Sequence, residues 1–275
     1  MTDAVPVGDA QFDGRSVDAW ASSWDVPQVV AFDDVPSTMD VAHALARAGA
    51  SDATVVVADR QSAGRGRNGS VWRSPPGGAW CSILLRPSAA QSFDPATLGV
   101  FTLRVGLALA LVIDGLLPRG TAPVRLKWPN DLWLDDGKLG GILTDAHWDG
   151  PRLGWLVVGV GINLHTAPQA LATDRVRPTP LPGTLARGTV LGVIIGAVRR
   201  AALAHGRFDA TELAAFARRD ALSGAVIDHP VQGRVVGIAP DGALRVIVAT
   251  GETQAIRAGD VQLPFRAAPG ETPAG

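Results

Sequence analysis

The chain has 275 residues, 47% of them hydrophobic, enough for one large domain with a substantial core plus a small one. A formal net charge of −1 supplies no general electrostatic drive toward nucleic acid, and the single cysteine, Cys81, allows no intramolecular disulfide. The N-terminus carries no secretory pattern, and the longest apolar run, 105–113, is far short of the roughly 20 residues that span a bilayer; the expectation is a soluble cytoplasmic protein with neither membrane nor nucleic-acid partners.

Residues 1–28 show little periodicity and read as an irregular N-terminal extension. A strand at 29–32 leads to Ser37 and Thr38, after which Val41, Ala42, Leu45 and Ala46 recur at helical spacing. Ser37 with Asp40 fits a capping box and Gly49 the helix stop. Strand patterns follow at 53–59 and 79–86, then an apolar helix around 95–117. Strands come next near 123–128, 131–134, 138–147 and 153–162, the middle pair separated by the hairpin turn Asp135, Asp136, Gly137. A proline-rich connection at 167–183 precedes helices near 189–206 and 209–222, the second opened by Asp209 and Glu212 as a capping box. Short alternating strands between 225 and 263, punctuated by glycines, read as a small barrel. This order predicts an α+β fold, a mixed β-sheet with helices on one face. The expected divisions are 29–222, a small unit at 223–265 and a disordered tail at 266–275.

The stretch with the most chemistry is 61–72. Gly64, Gly66 and Gly69 alternate with Arg65 and Arg67 directly after a strand, so backbone can approach a ligand closely while two fixed charges face its anionic groups. The six residues match G-x-G-x-x-G, but that fingerprint needs a helix to open at the loop. Here Pro75, Pro76, Gly77 and Gly78 follow, which no helix continues through. A phosphate-binding P-loop is excluded as well, since no Gly-Lys-Ser/Thr follows the glycines. What remains is a Gly/Arg loop joining two strands, suited to a nucleotide phosphate, or else a solvated basic turn.

Two further constellations interrupt apolar strands. Lys127, Trp128, Pro129, Asn130 and Asp131 break a strand with a proline, leaving Asn130 and Asp131 either in an ordinary turn or facing a ligand. Lys138 then begins a strand that carries Gly140 and Gly141, and Gly159 and Gly161 alternate in the next strand, which ends at Asn163. Glycines inside strands suggest a ligand or another backbone lying against them.

These segments together resemble the biotin–protein ligase family: Ser37 and Thr38, the loop from Gln61 through Gly69 with Trp72, Lys127 to Leu132, Lys138 to Leu143, and Gly159 to Asn163. The resemblance implies a catalytic domain of the class II synthetase-like biotin/lipoate ligase type, followed by a small SH3-like β-barrel. It implies an ATP-dependent ligase that activates biotin as biotinoyl-5′-AMP, with Mg2+ accompanying ATP. The biotinoyl group then passes to a lysine of a biotin carboxyl carrier domain, from acetyl-CoA carboxylase or a related carboxylase. Carried over residue by residue, Lys138, Arg67 and Arg65 are the catalytic cations. Biotin would be held by Ser37, Thr38, Met39, Gln61, Gly64, Arg65, Gly66, Arg67, Lys138, Gly140, Gly141 and Gly161. ATP would be held by Arg65, Arg67, Trp72, Asn130, Lys138 and Asn163. Met39 departs from the family, which often has Asn there, so an amide contact to the ligand is lost. Asp131 is left unassigned as a metal ligand, and 167–190 matches nothing in the family. The family's DNA-binding N-terminal module has no counterpart before the first strand, so transcriptional control is not implied.

Three other readings stand against this one. A lipoate or octanoate ligase or transferase shares the fold, but the paired Gly-Arg-Gly-Arg and Lys-Trp-Pro-Asn-Asp patterns are of the biotin type. A non-catalytic biotin sensor would have lost Lys138 or the arginines, and a dinucleotide-dependent oxidoreductase lacks its helix after Gly69.

Overall fold

A computed structural model of the chain describes residues 8–87, 97–171 and 176–262; the tail expected to be disordered lies outside them. Seven strands form the main sheet: β3 (Val29–Val35), β4 (Val55–Gln61), β5 (Ala79–Leu85), β6 (Arg125–Lys127), β7 (Asp131–Leu134), β8 (Gly137–Asp149) and β9 (Arg152–Ile162). Their spatial order is β3-β4-β5-β9-β8-β7-β6. Only β3 and β4 run parallel, because α2 (Thr38–Arg47) crosses over between them. The other neighbours are antiparallel, joined by hairpins or loops. This is the mixed sheet that the strand pattern predicts.

Helical cover on the two faces is unequal. Alternate residues of the strands, such as Val55, Val57, Ile83 and Val158, join one core with α1 (Val17–Trp24), α3 (Leu98–Asp114) and α4 (Arg187–Ala201). Their neighbours Val56, Ala58, Leu84 and Val157 meet, among the described helices, α2 alone, through Met39, Val41, Ala42, Leu45 and Ala46. One short helix cannot cover that face, and the uncovered part is where the site forms.

Residues 11–24 correct the expectation of an irregular lead-in. β1 (Gln11–Phe12) and β2 (Arg15–Ser16) form a hairpin, and α1 follows with the Ser16 hydroxyl accepting from Ala19 N. Trp20 and Trp24, one turn apart, stack at 4.9 Å, and their indoles donate to the carbonyls of Phe12 and Gly188. They lie against Gly188 and Gly192 of α4. Eight residues are too few for a periodic signal, and this helix is stabilised by tertiary packing rather than by its own propensity.

The Ser37–Asp40 capping box does not form. Ser37 occupies the cap position without a side-chain hydrogen bond, and Asp40 pairs instead with Arg65 at 2.9 Å. The Asp209–Glu212 box is present and opens α5 (Ala210–Ala217), which ends short of the expected 222. Four antiparallel strands, β10 (Val226–Ile227), β11 (Gly233–Ile238), β12 (Leu244–Ile247) and β13 (Thr253–Ile256), make the C-terminal sheet. A bridge between His229 and Gln262 returns the chain to its start. Trp128, fully buried, donates its indole N–H to Gly242 O at 2.9 Å and ties this sheet to the β6–β7 connection.

Asp220, just after α5, is buried beside β6. Its Oδ1 accepts from Leu222 N at 2.8 Å, Oδ2 has no partner among the described residues, and burial pushes its pKa up to about 6 from 3.8. Ionisation above that value therefore opposes folding, whereas below about pH 4 both folded and unfolded states are protonated and the cost vanishes. Asp220→Asn should gain stability relative to wild type by on the order of 2–3 kcal/mol as pH rises from 4 to 7.5. Urea unfolding at the two pH values measures this, and a pH-independent difference would contradict it.

Candidate functional site

Along β9 the α2-facing positions are Trp155, Val157, Gly159 and Gly161. Only the first two carry a side chain, and β8 repeats the device with Gly141. A Cβ on Gly161 would stand 2.6 Å from Trp72 Nε1, and one on Gly141 would stand 3.2 Å from the same indole. A Cβ on Gly159 would stand 2.7 Å from Met39 Sδ. Side chains, not backbone, lie against these strand glycines. Trp72 rests on two of them, its Nε1 buried with no partner among the described residues, and its edge packs on Trp80 with centroids 6.4 Å apart. Gly140 serves another purpose: its bare Cα admits Gly161 O and the Ile162 side chain, so it closes the sheet rather than opening a cavity.

A cavity of about 470 Å³ occupies this face. Thr38 and Met39 from α2, Gln61, Gly141, Gly161 and Trp72 line one part of it. Here Thr38 donates its N–H and hydroxyl to Gln61 Oε1 at 2.9 and 3.1 Å, and Gln61 Nε2 donates to Ser74 Oγ at 2.8 Å. Both side chains are thus held in one rotamer. Cys81 lies behind the glycines, and burial pushes its thiol up to about 12, so it is a neutral thiol and not a nucleophile.

The Gly/Arg loop doubles back as a hairpin over the cavity. Gly66 N donates to Ser70 O at 2.7 Å and Trp72 N to Gly64 O at 2.8 Å, around a single 3-10 turn at Arg67–Gly69. No helix opens there, in keeping with rejection of the dinucleotide fingerprint. Arg65 bridges Asp40 at 2.9 Å and Asp145 at 3.4 Å. The Asp145 carboxyl is held below its usual range chiefly by His43, whose Nε2 is 3.4 Å away, with Arg65 adding to the effect. Arg67 donates to Gly259 O at 3.1 Å. Burial lowers its pKa, and Asp131 and Asp260 partly offset this; an arginine so placed remains protonated at neutral pH.

Asp131 is the hub of the opposite wall. Lys138 Nζ lies 2.8 Å from Asp131 Oδ1, and Lys127 Nζ lies 3.7 Å from Oδ2. The Lys138 ammonium also sits 5.0 Å from the centre of the Trp72 ring. Its backbone is clamped on both sides. Lys138 N donates to Arg177 O, and Lys138 O accepts from Thr179 N and from Asn163 Nδ2, all at 2.9–3.0 Å. Gly137 is required here because Thr179 stands where its Cβ would be. The segment 177–179, to which the sequence assigned no role, is therefore the outer support of Lys138.

The structure gathers Thr38, Met39, Gln61, Arg65, Gly66, Arg67, Trp72, Asn130, Lys138, Gly141 and Gly161 around one cavity. Ser37, Gly64, Gly140 and Asn163 do not line it. Ser37 and Asn163 are buried behind it, and Gly64 and Gly140 serve close backbone packing. Sequence reasoning singled out Lys127 and Asp131 within a motif but gave neither a role, and it missed Asp260. The Lys127–Asp131 spacing was a usable signal; nothing local marks Asp260. Among the described residues no group of three or more His, Cys, Asp or Glu side chains could hold a metal ion. Asp131 is already shared by two lysines, a donor set that fits an ion arriving on phosphate oxygens better than a resident one.

Residues 31–163 match the profile of the biotin/lipoate A/B protein ligase family, and 226–263 that of the biotin protein ligase C-terminal domain. Over these two stretches the chain is similar to that family and to that domain. The bifunctional ligase/repressor BirA of Bacillus subtilis is 38% identical over 137 residues, 50% of this chain and 40% of that protein. The biotin–[acetyl-CoA-carboxylase] ligase of Paracoccus denitrificans is 38% identical over 127 residues, 46% of this chain and 50% of that one. The chain thus spans half or less of the length of these curated relatives. The biotin protein ligase of Aquifex aeolicus, solved with biotin and ATP, superimposes with a TM-score of 0.69 at 23% identity. That superposition covers 87% of this chain and 100% of the other. The Leishmania major ligase with biotinyl-5-AMP gives 0.57 at 26% identity, over 84% and 99%.

If the glycine floor is what seats Trp72, Gly161→Ala should displace the indole and cost about 1–3 kcal/mol, as overpacking does, with a changed near-UV circular dichroism spectrum. Gly99→Ala, where a Cβ meets nothing within 4 Å, is the control and should cost nothing. Equal stability and spectra for both variants would mean that Trp72 is not held by the glycines.

Proposed function

We propose that the protein is an ATP-dependent biotin ligase that works in two steps. In the first, an oxygen of biotin's carboxylate attacks the α-phosphorus of Mg·ATP; the bond to the bridging oxygen breaks and pyrophosphate leaves with the magnesium. In the second, the amine of a carrier lysine attacks the carbonyl carbon of biotinoyl-5′-AMP. AMP leaves, the amine loses its proton, and an amide remains. The carrier is a biotin carboxyl carrier domain of acetyl-CoA carboxylase or a related enzyme, in the cytoplasm. Residues 29–222 would form the catalytic unit and 223–265 a small β-domain beside it.

The observation that carries this reading is Lys138: an ammonium on a doubly clamped backbone, oriented by Asp131 at 2.8 Å and facing the same cavity as Arg67. Charge accumulates on the α-phosphate oxygens in the transition state, and preorganised cations stabilise it without reorganising. Lys138 bridges the attacking carboxylate and the phosphate. Arg67, and Arg65 once released from Asp40 and Asp145, hold phosphate and keep the loop over the anhydride, excluding water. Thr38 and Gln61, with Met39 as an apolar wall, take the biotin end, and Trp72 and Asn130 the nucleotide end. Ser37, Gly64, Gly140 and Asn163 support these residues from behind. The Aquifex and Leishmania relatives, solved with biotin and ATP and with biotinyl-5-AMP, support the substrate assignment, and the Paracoccus relative's name supports the carrier.

Mass spectrometry of a carrier domain incubated with the protein, biotin and Mg·ATP should show a single biotinylated lysine. Lys138→Ala should lower biotin-dependent ATP–pyrophosphate exchange at least 10²-fold, about 3 kcal/mol at the transition state, with the fold intact by circular dichroism. Exchange within a few-fold of wild type would remove Lys138 from the mechanism.

Retention of the adenylate is a separate role for Arg67. A charge-assisted hydrogen bond to phosphate contributes about 1.5–3 kcal/mol, so Arg67→Ala should release biotinoyl-AMP roughly 10- to 150-fold faster. The freed anhydride would acylate bystander lysines on albumin, which wild type leaves unlabelled. A variant that only loses activity, with no bystander labelling, would assign Arg67 to adenylation instead.

A further inference from the structure

Arg67 and Lys138 line the cavity, the buried Lys127 adjoins them at Asp131, and the main sheet supplies one carboxylate among these three cations, Asp131. The second comes from the far end of the chain. Asp260, after β13, places Oδ1 3.7 Å from Lys127 Nζ and lines the same cavity. Lys127 has only 8% of its side chain exposed, so its ammonium depends on the carboxylates beside it. Asp131 Oδ1 is already taken by Lys138 at the shorter distance of 2.8 Å. Without Asp260, Lys127 would have Asp131 as its one acidic neighbour among the described residues and would draw on it more strongly, in competition with Lys138. The adjoining residue acts on the third cation, since Gly259 O accepts from Arg67. Gly259 takes φ +128, where a side chain is strained, and packs on Pro230, so this short segment has a defined path.

We propose that Asp260 is a positioning residue for the adenylation step: it shares Lys127 with Asp131, each carboxylate 3.7 Å from the ammonium, so that Asp131 keeps its short contact to Lys138 and orients it. Through it and Gly259, the C-terminal sheet sets the geometry of all three cations. The inference rests on the ligase reading above and adds to it a role for a residue outside the main sheet. Because Asp260 is itself negative and faces the space where phosphates bind, its loss should not weaken ATP binding through charge. The effect should fall on the rate.

Biotin-dependent pyrophosphate exchange tests this on the full-length protein. Asp260→Asn should lower kcat about ten-fold or more, as misplacement of a catalytic cation does, with KM for ATP unchanged or lower. Asp260→Glu should return kcat to within about three-fold of wild type. The melting temperature should stay the same for both variants, because Asp260 is 64% exposed. An Asp260→Asn kcat within two-fold of wild type would overturn the inference alone. So would an effect confined to KM, or a loss that tracks the melting temperature. Wild-type protein without exchange activity would overturn the ligase reading, and this inference with it.

Discussion

The site depends on the contact between an indole and bare backbone. Trp72 can lie flat on the sheet only because Gly141 and Gly161, paired across β8 and β9, present no Cβ to it. From that contact follow the depth of the cavity, the position of the Lys138 ammonium over the ring, and the path of the Gly/Arg hairpin, whose last residues lead into Trp72. A sheet normally fills its face with alternating side chains that bury apolar area under a helix. Here one face is left short of cover by a ten-residue helix, and side chains from a loop, not from the sheet, form the walls.

The electrostatics follow a similar logic of shared partners. A buried lysine is costly unless it is paired, and Lys127 and Lys138 draw on Asp131 together. Arg65 and Arg67 are likewise engaged, one with Asp40 and Asp145, the other with the Gly259 carbonyl. The cations are held in place by acids and carbonyls that an anionic substrate can supplement, so the site is ordered around its charges. Lys138 is further fixed by three backbone and amide hydrogen bonds, which ties its position to a surface connection as well as to the sheet.

Much of this was legible in the residues. The Gly/Arg loop stood out because glycine and arginine rarely alternate without a reason in backbone approach and charge, and the prolines after it excluded a helix. The strand glycines were found by the same reasoning, Lys138 took its role only from the family resemblance, and strand order in 123–162 followed from alternation and the Gly137 turn. The N-terminal helix was not legible: eight residues carry no periodic signal, and Trp20 and Trp24 gain their meaning only against Gly188 and Gly192. Nor could local pattern show that Asp40 leaves its capping role to pair with Arg65.

By itself, the sequence determined which segments form the main sheet, which loop is cationic and flexible in its backbone choices, and which residues could serve an anionic ligand, because these depend on residue type and near neighbours. Only the tertiary structure decided that the strand glycines accept Trp72 and Met39, that the 177–179 connection clamps Lys138, and that Asp260 reaches Lys127. Each of these joins residues far apart in the chain, and such pairings are set by the packing of the whole sheet against its helices rather than by any signal that the neighbouring residues carry.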